Sequence, residues 1–298
     1  MMYHVPALLE ESIEGLNIRP EGTYVDVTFG GGGHSKAILE RLTSGRLVAL
    51  DQDSDALANR PDDRRLILEQ GNFRFLRNYL AHHGYRKVDG ILADLGVSFH
   101  HFDAAERGFT FQHDAPLDMR MNASGRITAG DVLNQYPEHQ LRMIFSKYGE
   151  VPNASRLARQ IISARLSGPI ERNSGLLEAI QSCIPRGAEN KYLAKVFQSL
   201  RIEVNRELEN LRSLLLQSLD LLTEGGRMAV ITYHSLEDRL VKNFFKNGLF
   251  EGEAPKDIYG HAEVPFRPVN TKVIVPSDDE VAVNSRSRSA KLRIGERL

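Results

Sequence analysis

The sequence predicts an α/β protein whose parallel sheet is interrupted by a helical insertion, and three observations predict it. Strand-like and helix-like segments alternate over about the first hundred residues. From Asp131 to about Leu222 the pattern is helical almost throughout. Strand character then returns at Arg227–Tyr233 and again near the carboxyl end. The sheet therefore starts before the insertion and finishes after it.

Taken in order, Tyr24–Phe29 (YVDVTF) is a β-branched and aromatic run stopped by four glycines, Gly30–Gly33. His34–Leu42 carries helical spacing through Ala37, Ile38 and Leu42. Arg46–Leu50 (RLVAL) reads as a second buried strand ending at Asp51, and Asp53 or Ser54 can cap the short helix that follows. Arg65–Glu69 is a third strand and Val88–Leu95 a fourth; such near-continuous apolar runs suit a sheet covered on both faces. Phe99–Asn122 is aromatic, charged and loop-like. The helical stretch breaks at Pro137, Pro152, Gly168-Pro169 and Pro185–Gly187. A Gly225-Gly226 turn is expected to open the fifth strand. Val273 and Val275, then Ala290, Leu292 and Ile294, alternate with polar neighbours and predict a closing antiparallel hairpin.

Composition bounds the class. The chain has 298 residues, 38 Lys+Arg against 39 Asp+Glu, 41% hydrophobic residues and a mean hydropathy of -0.33, as expected of an ordinary soluble chain. No apolar run reaches the roughly 18 residues that span a bilayer, so no membrane segment is expected. MMYHVPALLEES lacks the pattern of a signal peptide. A single cysteine, Cys183, excludes an internal disulfide framework and a cysteine-based zinc cluster, and its apolar surroundings read as inert core. No His/Cys/Asp cluster has metal-ligand spacing, so no metal is expected. A cytoplasmic enzyme is the expected class.

The strongest motif is TYVDVTFGGGGHS followed by LVALDQD. A glycine-rich strand-to-helix turn lets backbone amides approach a ligand. Asp51, 21 residues after Gly30, closes the next strand, where an acid can accept hydrogen bonds from ribose hydroxyls. Both a nicotinamide dinucleotide and S-adenosylmethionine fit that geometry. A dinucleotide-type G-x-G-x-x-G ends in Ser35 instead of glycine, and Asp26 just before the loop suits a cationic amino-acid end better than a pyrophosphate.

Further motifs occur in order: DLGVS (Asp94–Ser98), RGFTF (Arg107–Phe111), PLDMRM (Pro116–Met121), YGE (Tyr148–Glu150), FQSLRIEVNRELE (Phe197–Glu209), YHSLEDRLVK (Tyr233–Lys242) and SRSRSAKLR (Ser285–Arg293). With the glycine motif they resemble the bacterial 16S ribosomal RNA cytosine-N4 methyltransferase family (RsmH, also MraW), over nearly the whole chain. The resemblance implies a Rossmann-like class I S-adenosylmethionine-dependent methyltransferase sheet, discontinuous over residues 1–102 and 207–298, with an RNA-recognising helical insertion over 103–206. It implies methylation of a cytidine N4 amine in the decoding region of 16S rRNA within the small ribosomal subunit, by a monomer or homodimer.

Carried over one at a time, the family's cofactor-binding residues fall on Gly32, Gly33 and His34, on Asp51, on Phe73 as a face for adenine, on Asp94, and on His101, where the family usually has glutamine. Lys191–Lys195 (KYLAK) departs from the family's H-P-A-x-R. Amino-methyltransferases often orient the amine with an Asp/Asn-Pro-Pro-aromatic turn; Asp94-Leu95-Gly96-Val97 lacks the prolines and the aromatic. Asp94, Asp118 and His234 are the candidates for orienting the base, although Asp118 has Arg120 and Arg107 as nearby salt-bridge partners. Residues 153–212 hold ten Lys/Arg against six Asp/Glu, and Arg286, Arg288, Lys291 and Arg293 follow in the tail, where the first two are expected near the sheet's active edge. Two other classes fit parts of the pattern: a nicotinamide-dependent oxidoreductase, and a non-catalytic RNA-binding factor.

Overall fold

The computed structural model describes residues 6–96, 105–255, 259 and 262–298. Its sheet has seven strands: β1 (Thr23–Asp26), β2 (Arg46–Asp51), β3 (Leu66–Gln70), β4 (Val88–Asp94), β5 (Leu222–Thr232), β6 (Phe266–Pro268) and β7 (Lys291–Arg297). Their order is β3-β2-β1-β4-β5-β7-β6. The first five pair in parallel, while β7 runs antiparallel to both β5 and β6. The chain reverses its direction of travel across the sheet between β1 and β4. In an open α/β sheet the carboxyl ends at such a switch point border the ligand crevice.

Side chains alternate between two buried faces. Val25, Val48, Leu50, Ile91, Met228 and Val230 pack with Leu76, Leu80, Leu214, Leu215 and Phe244 on one face. Tyr24, Leu47, Ala49, Leu92, Ala229 and Ile231 pack with Leu8, Ile13, Leu16 and Ile38 on the other. Each large aliphatic side chain so buried contributes roughly 1.5–3 kcal/mol relative to exposure, which fixes the register that brings the strand ends together.

Two sequence expectations are corrected. The Gly225-Gly226 turn lies inside β5: Val88 pairs with Leu222 and Gly90 with Arg227, so residues 223–226 bulge opposite Asp89. Gly225, at φ 74°, takes the left-handed conformation that the bulge requires. The first arm of the closing hairpin is Phe266–Pro268, whereas Val273–Val275 contributes only the Ile274–Leu292 bridge. Phe266 is fully buried against Phe244 and Phe245 and anchors that short arm, an aromatic contact that outweighs the weak valine alternation.

The chain divides into two compact bodies, Met1–Gly96 with Leu208–Leu298, and Val97–Glu207. The second is helical: Ala129–Gln135, Glu138–Lys147, Ala154–Arg165, Asn173–Ile180 and Glu189–Asn205 enclose Leu141, Phe145, Leu157, Ile161, Val196 and Leu200. Thr128 and Asp131 form a reciprocal capping box at the first of these helices. Asn205 receives the Met121 amide and donates to the Met119 carbonyl, pinning the PLDMRM loop to the longest helix of this body. Cys183 is buried in the same core.

Candidate active site

The glycine loop follows β1 and opens the helix Gly33–Arg41. Gly32 caps that helix at φ 78°, and a Cβ there would also meet the Phe29 ring at 3.0 Å. A Cβ on Gly33 would come within 2.2 Å of Pro6 Cγ. Backbone conformation demands the first glycine and close packing the second. Asp51, at the end of β2, ties the loop down: its carboxylate accepts from the Gly30 amide at 2.7 Å and from the Asp53 amide at 2.9 Å. Asn59 donates to the Gly30 carbonyl at 3.0 Å.

Asp26, at the end of β1, is fully buried. Its carboxylate accepts from Ser35 Oγ at 2.6 Å and from the Thr28 amide at 3.0 Å. Burial pushes it up from 3.8 to about 6, against the pull of those hydrogen bonds. Thr28 Oγ1 in turn accepts the Asp94 amide at 2.7 Å, so the ends of β1 and β4 are joined through one hydroxyl.

Asp94 ends β4. Its Oδ1 accepts from the Tyr233 hydroxyl at 2.9 Å, and its Oδ2 lies 3.8 Å from His34 Nδ1. His34 Nε2 is 3.2 Å from the Ala7 carbonyl, which can only accept; the proton therefore sits on Nε2, and Nδ1 of the neutral ring faces Asp94 as an acceptor. Burial lowers His34 to about 4. Burial raises Asp94 to about 7; the Tyr233 bond opposes this, and the charges of Asp26 and Glu237 add to it. The approach of His34 to Asp94 is thus not an ion pair at neutral pH. Tyr233 is held far above its ordinary 10 by burial and by the Asp94 charge, and so remains a donor.

Of the other residues expected at the site, Phe73 opens a short 3-10 turn (Phe73–Phe75) and packs, partly buried, against the core. His101 lies outside the described residues. His234 precedes the helix Ser235–Asn247, with Nε2 3.3 Å from Glu237 Oε1, while Glu237 also accepts the Tyr233 amide at 3.1 Å. Asp118 belongs to the helical body and holds Arg120 in two parallel bonds of 2.7 and 2.6 Å. Burial works to raise Asp118, but those bonds and the Arg120 and Arg107 charges keep it below 3.8. Thr28, Ser35, Asn59, Tyr233 and Glu237 are not among the site residues expected from the sequence, although Thr28 and Ser35 fall within the glycine motif and Tyr233 and Glu237 within YHSLEDRLVK. Arg286 and Arg288 lie in a 3-10 turn just before β7, whose first residue pairs with Thr232 at the carboxyl end of β5.

Carboxylates at the ends of β1, β2 and β4, bonded to hydroxyls and backbone amides, suit a cation and a ribose diol and would repel a pyrophosphate. That donor set fits S-adenosylmethionine, and the strand order with its β1/β4 switch point is that of the class I S-adenosylmethionine-dependent methyltransferases. A family model described as "MraW methylase family" matches residues 1–298. Ribosomal RNA small subunit methyltransferase H of Cytophaga hutchinsonii is 55% identical over 298 residues, 99% of this chain and 100% of that protein. The protein of the same name from Flavobacterium johnsoniae is 53% identical over 299 residues, 100% of this chain and 99% of its own. A putative methyltransferase from Streptococcus mutans, solved in complex with SAH, is similar over 99% of each chain with a TM-score of 0.43 and 12% identity. The chain belongs to the MraW methylase family; it is a methyltransferase, and S-adenosylmethionine is its methyl donor.

Proposed function

We propose that this chain methylates the exocyclic N4 amine of a cytidine in the decoding region of 16S ribosomal RNA, acting on the small ribosomal subunit in the cytoplasm as a monomer or homodimer. The observation that carries the reading is identity above half, over full length, to proteins named ribosomal RNA small subunit methyltransferase H. Among the described residues no helix is long and apolar enough to cross a membrane.

S-adenosylmethionine supplies a methyl group made electrophilic by its sulfonium. The residues that would hold it are Gly32, Gly33 and His34 at the loop, Asp51 toward the ribose, Phe73 toward the adenine, Asp94 toward the cationic end, and His101. Asp51 stands at the carboxyl end of β2 and accepts from the Gly30 and Asp53 amides, which fixes its carboxylate beside the glycine loop. A cytosine amine is a poor nucleophile because its lone pair is delocalised into the ring, so an acceptor must take a hydrogen bond from its protons. Asp118 is committed to Arg120 and His234 faces Glu237, which leaves Asp94 as the acceptor poised near neutrality.

The helical insertion, residues 103–206, is the proposed RNA-recognition part. Of its cations, Arg165, Arg172 and Arg201 bond to the protein itself, whereas Arg156, Arg159, Arg186 and Lys191 are exposed and able to meet phosphates.

Tritiated-methyl transfer to small subunits lacking the modification, followed by nucleoside analysis, tests the reading. N4-methylcytidine that disappears in Asp94→Ala supports it. A methyl group on another atom, or no transfer by cofactor-bound protein, refutes it.

A further inference from the structure

We infer that Tyr233 is a positioning residue of the methyltransferase site: its hydroxyl fixes one oxygen of Asp94 and so aims the other toward the methyl donor. The inference rests on the placement of Asp94 in the cofactor pocket proposed above.

The geometry is specific. Tyr233 follows β5 immediately, and the β4–β5 register puts Asp94 beside Ile231. The chain leaves β4 through Gly96 at φ 106°, and a Cβ there would meet the Tyr233 ring at 3.2 Å. The ring therefore lies over the turn that Asp94 opens, with its hydroxyl 2.9 Å from Oδ1. The bond spans 139 residues and joins the ends of two strands that also pair through their backbones. From the other elements, Asp94 is faced by His34 of the helix Gly33–Arg41, by Asp26 at the end of β1 and by Glu237 of the helix Ser235–Asn247; the Thr28 hydroxyl holds its backbone amide. Tyr233 itself also feels Glu280 of the helix Asp278–Val283. His34 presents an acceptor and the two acids present negative charge, so among the described residues Tyr233 is the side-chain donor to this carboxylate. Without it burial and like charge would act on Asp94 unopposed, and the carboxyl would keep its proton to higher pH. A protonated Asp94 attracts a cationic ligand less.

The experiment is calorimetric binding of S-adenosylmethionine to the full-length protein between pH 6 and 9, without RNA, for wild type, Tyr233→Phe, Asp94→Asn and the double variant. Tyr233→Phe removes only the oxygen and keeps the ring on Gly96. The expected result at pH 7 is a Kd about tenfold weaker for Tyr233→Phe, in proportion to the loss of one hydrogen bond to a charged group. The acidic limb of its Kd profile should move up by about one pH unit, and the gap to wild type should close toward pH 9. In the Asp94→Asn background, Tyr233→Phe should change Kd less than twofold. A Tyr233→Phe Kd equal to wild type at every pH, or weakened by the same factor with and without Asp94, overturns the inference. An Asp94→Asn variant binding as wild type does would overturn the pocket assignment as well. The choice of cytidine stands or falls separately, since no RNA is present.

Discussion

Ser35 Oγ donates to Asp26 Oδ2 at 2.6 Å, and both residues are completely buried. The serine that breaks the dinucleotide glycine pattern is thus the donor that a buried carboxylate at the end of β1 requires. A glycine at 35 would leave Asp26 short of a partner in a setting where desolvation already opposes its charge.

Ser35→Ala should therefore destabilise the ligand-free protein, and more at high pH than at low. The hydroxyl stabilises the ionised form of Asp26, which titrates near 6, so the loss is expressed above that value. At pH 8 the expected cost is about 1–3 kcal/mol, falling to below half of that at pH 5, by denaturant unfolding. An equal cost at both pH values would show that the serine acts by packing alone.

Asp94→Asn should do the reverse. A carboxyl raised from 3.8 to about 7 stabilises the fold fully only below 3.8, and that contribution is lost as pH rises through 7. Asp26 follows the same course through about 6. His34, lowered from 6.5 to about 4, opposes both, its contribution being present above 6.5 and lost as pH falls toward 4. Removing the carboxylate at Asp94 should raise stability by about 1–3 kcal/mol at pH 8–9 and change it little at pH 5. Thermal unfolding of the ligand-free variant across pH 5–9 checks this, and a variant less stable than wild type at pH 9 contradicts it. Loss of cofactor affinity in the same variant would mark the burial of Asp94 as a cost of function.

Much of this site was legible because strand ends are legible. A run such as RLVALD announces both a buried strand and the acid that terminates it, and the abrupt glycines after YVDVTF fix where the chain turns. The Tyr233–Asp94 and Thr28–Asp94 bonds were not legible, since each depends on which strands become neighbours and in what register. The small edge arm was missed for a related reason. Phe266 earns its place through two rings contributed by the helix Ser235–Asn247, a contact that leaves no period in its own segment. Asp118 was ambiguous in sequence because its partner Arg120 is two residues away, close enough to pair yet equally able to point elsewhere.

Gly32→Ala is expected to damage the loop by conformation. At φ 78° an alanine is strained by about 1–2 kcal/mol, and its methyl would press on Phe29. The strain falls where the loop caps the helix Gly33–Arg41, so unfolding should show that cost together with a weaker cofactor Kd. A variant that keeps full stability would mean the loop can rearrange its turn without loss.

Arg156 and Arg159 lie three residues apart on the helix Ala154–Arg165, both exposed, whereas Arg165 on the same helix donates to the Leu133 and Tyr136 carbonyls. If the insertion holds RNA phosphates, the first two act through counterion release and the third through folding. Arg156→Ala/Arg159→Ala should leave unfolding unchanged within about 0.5 kcal/mol and S-adenosylmethionine binding unaffected. It should reduce the slope of log K against log salt for small-subunit binding by about one to two. Arg165→Ala should instead destabilise the protein by about 1–3 kcal/mol, through two carbonyls deprived of a charged donor. Binding measured across 50–300 mM salt separates the two behaviours. An unchanged slope in the double variant would move the RNA contact off this helix face.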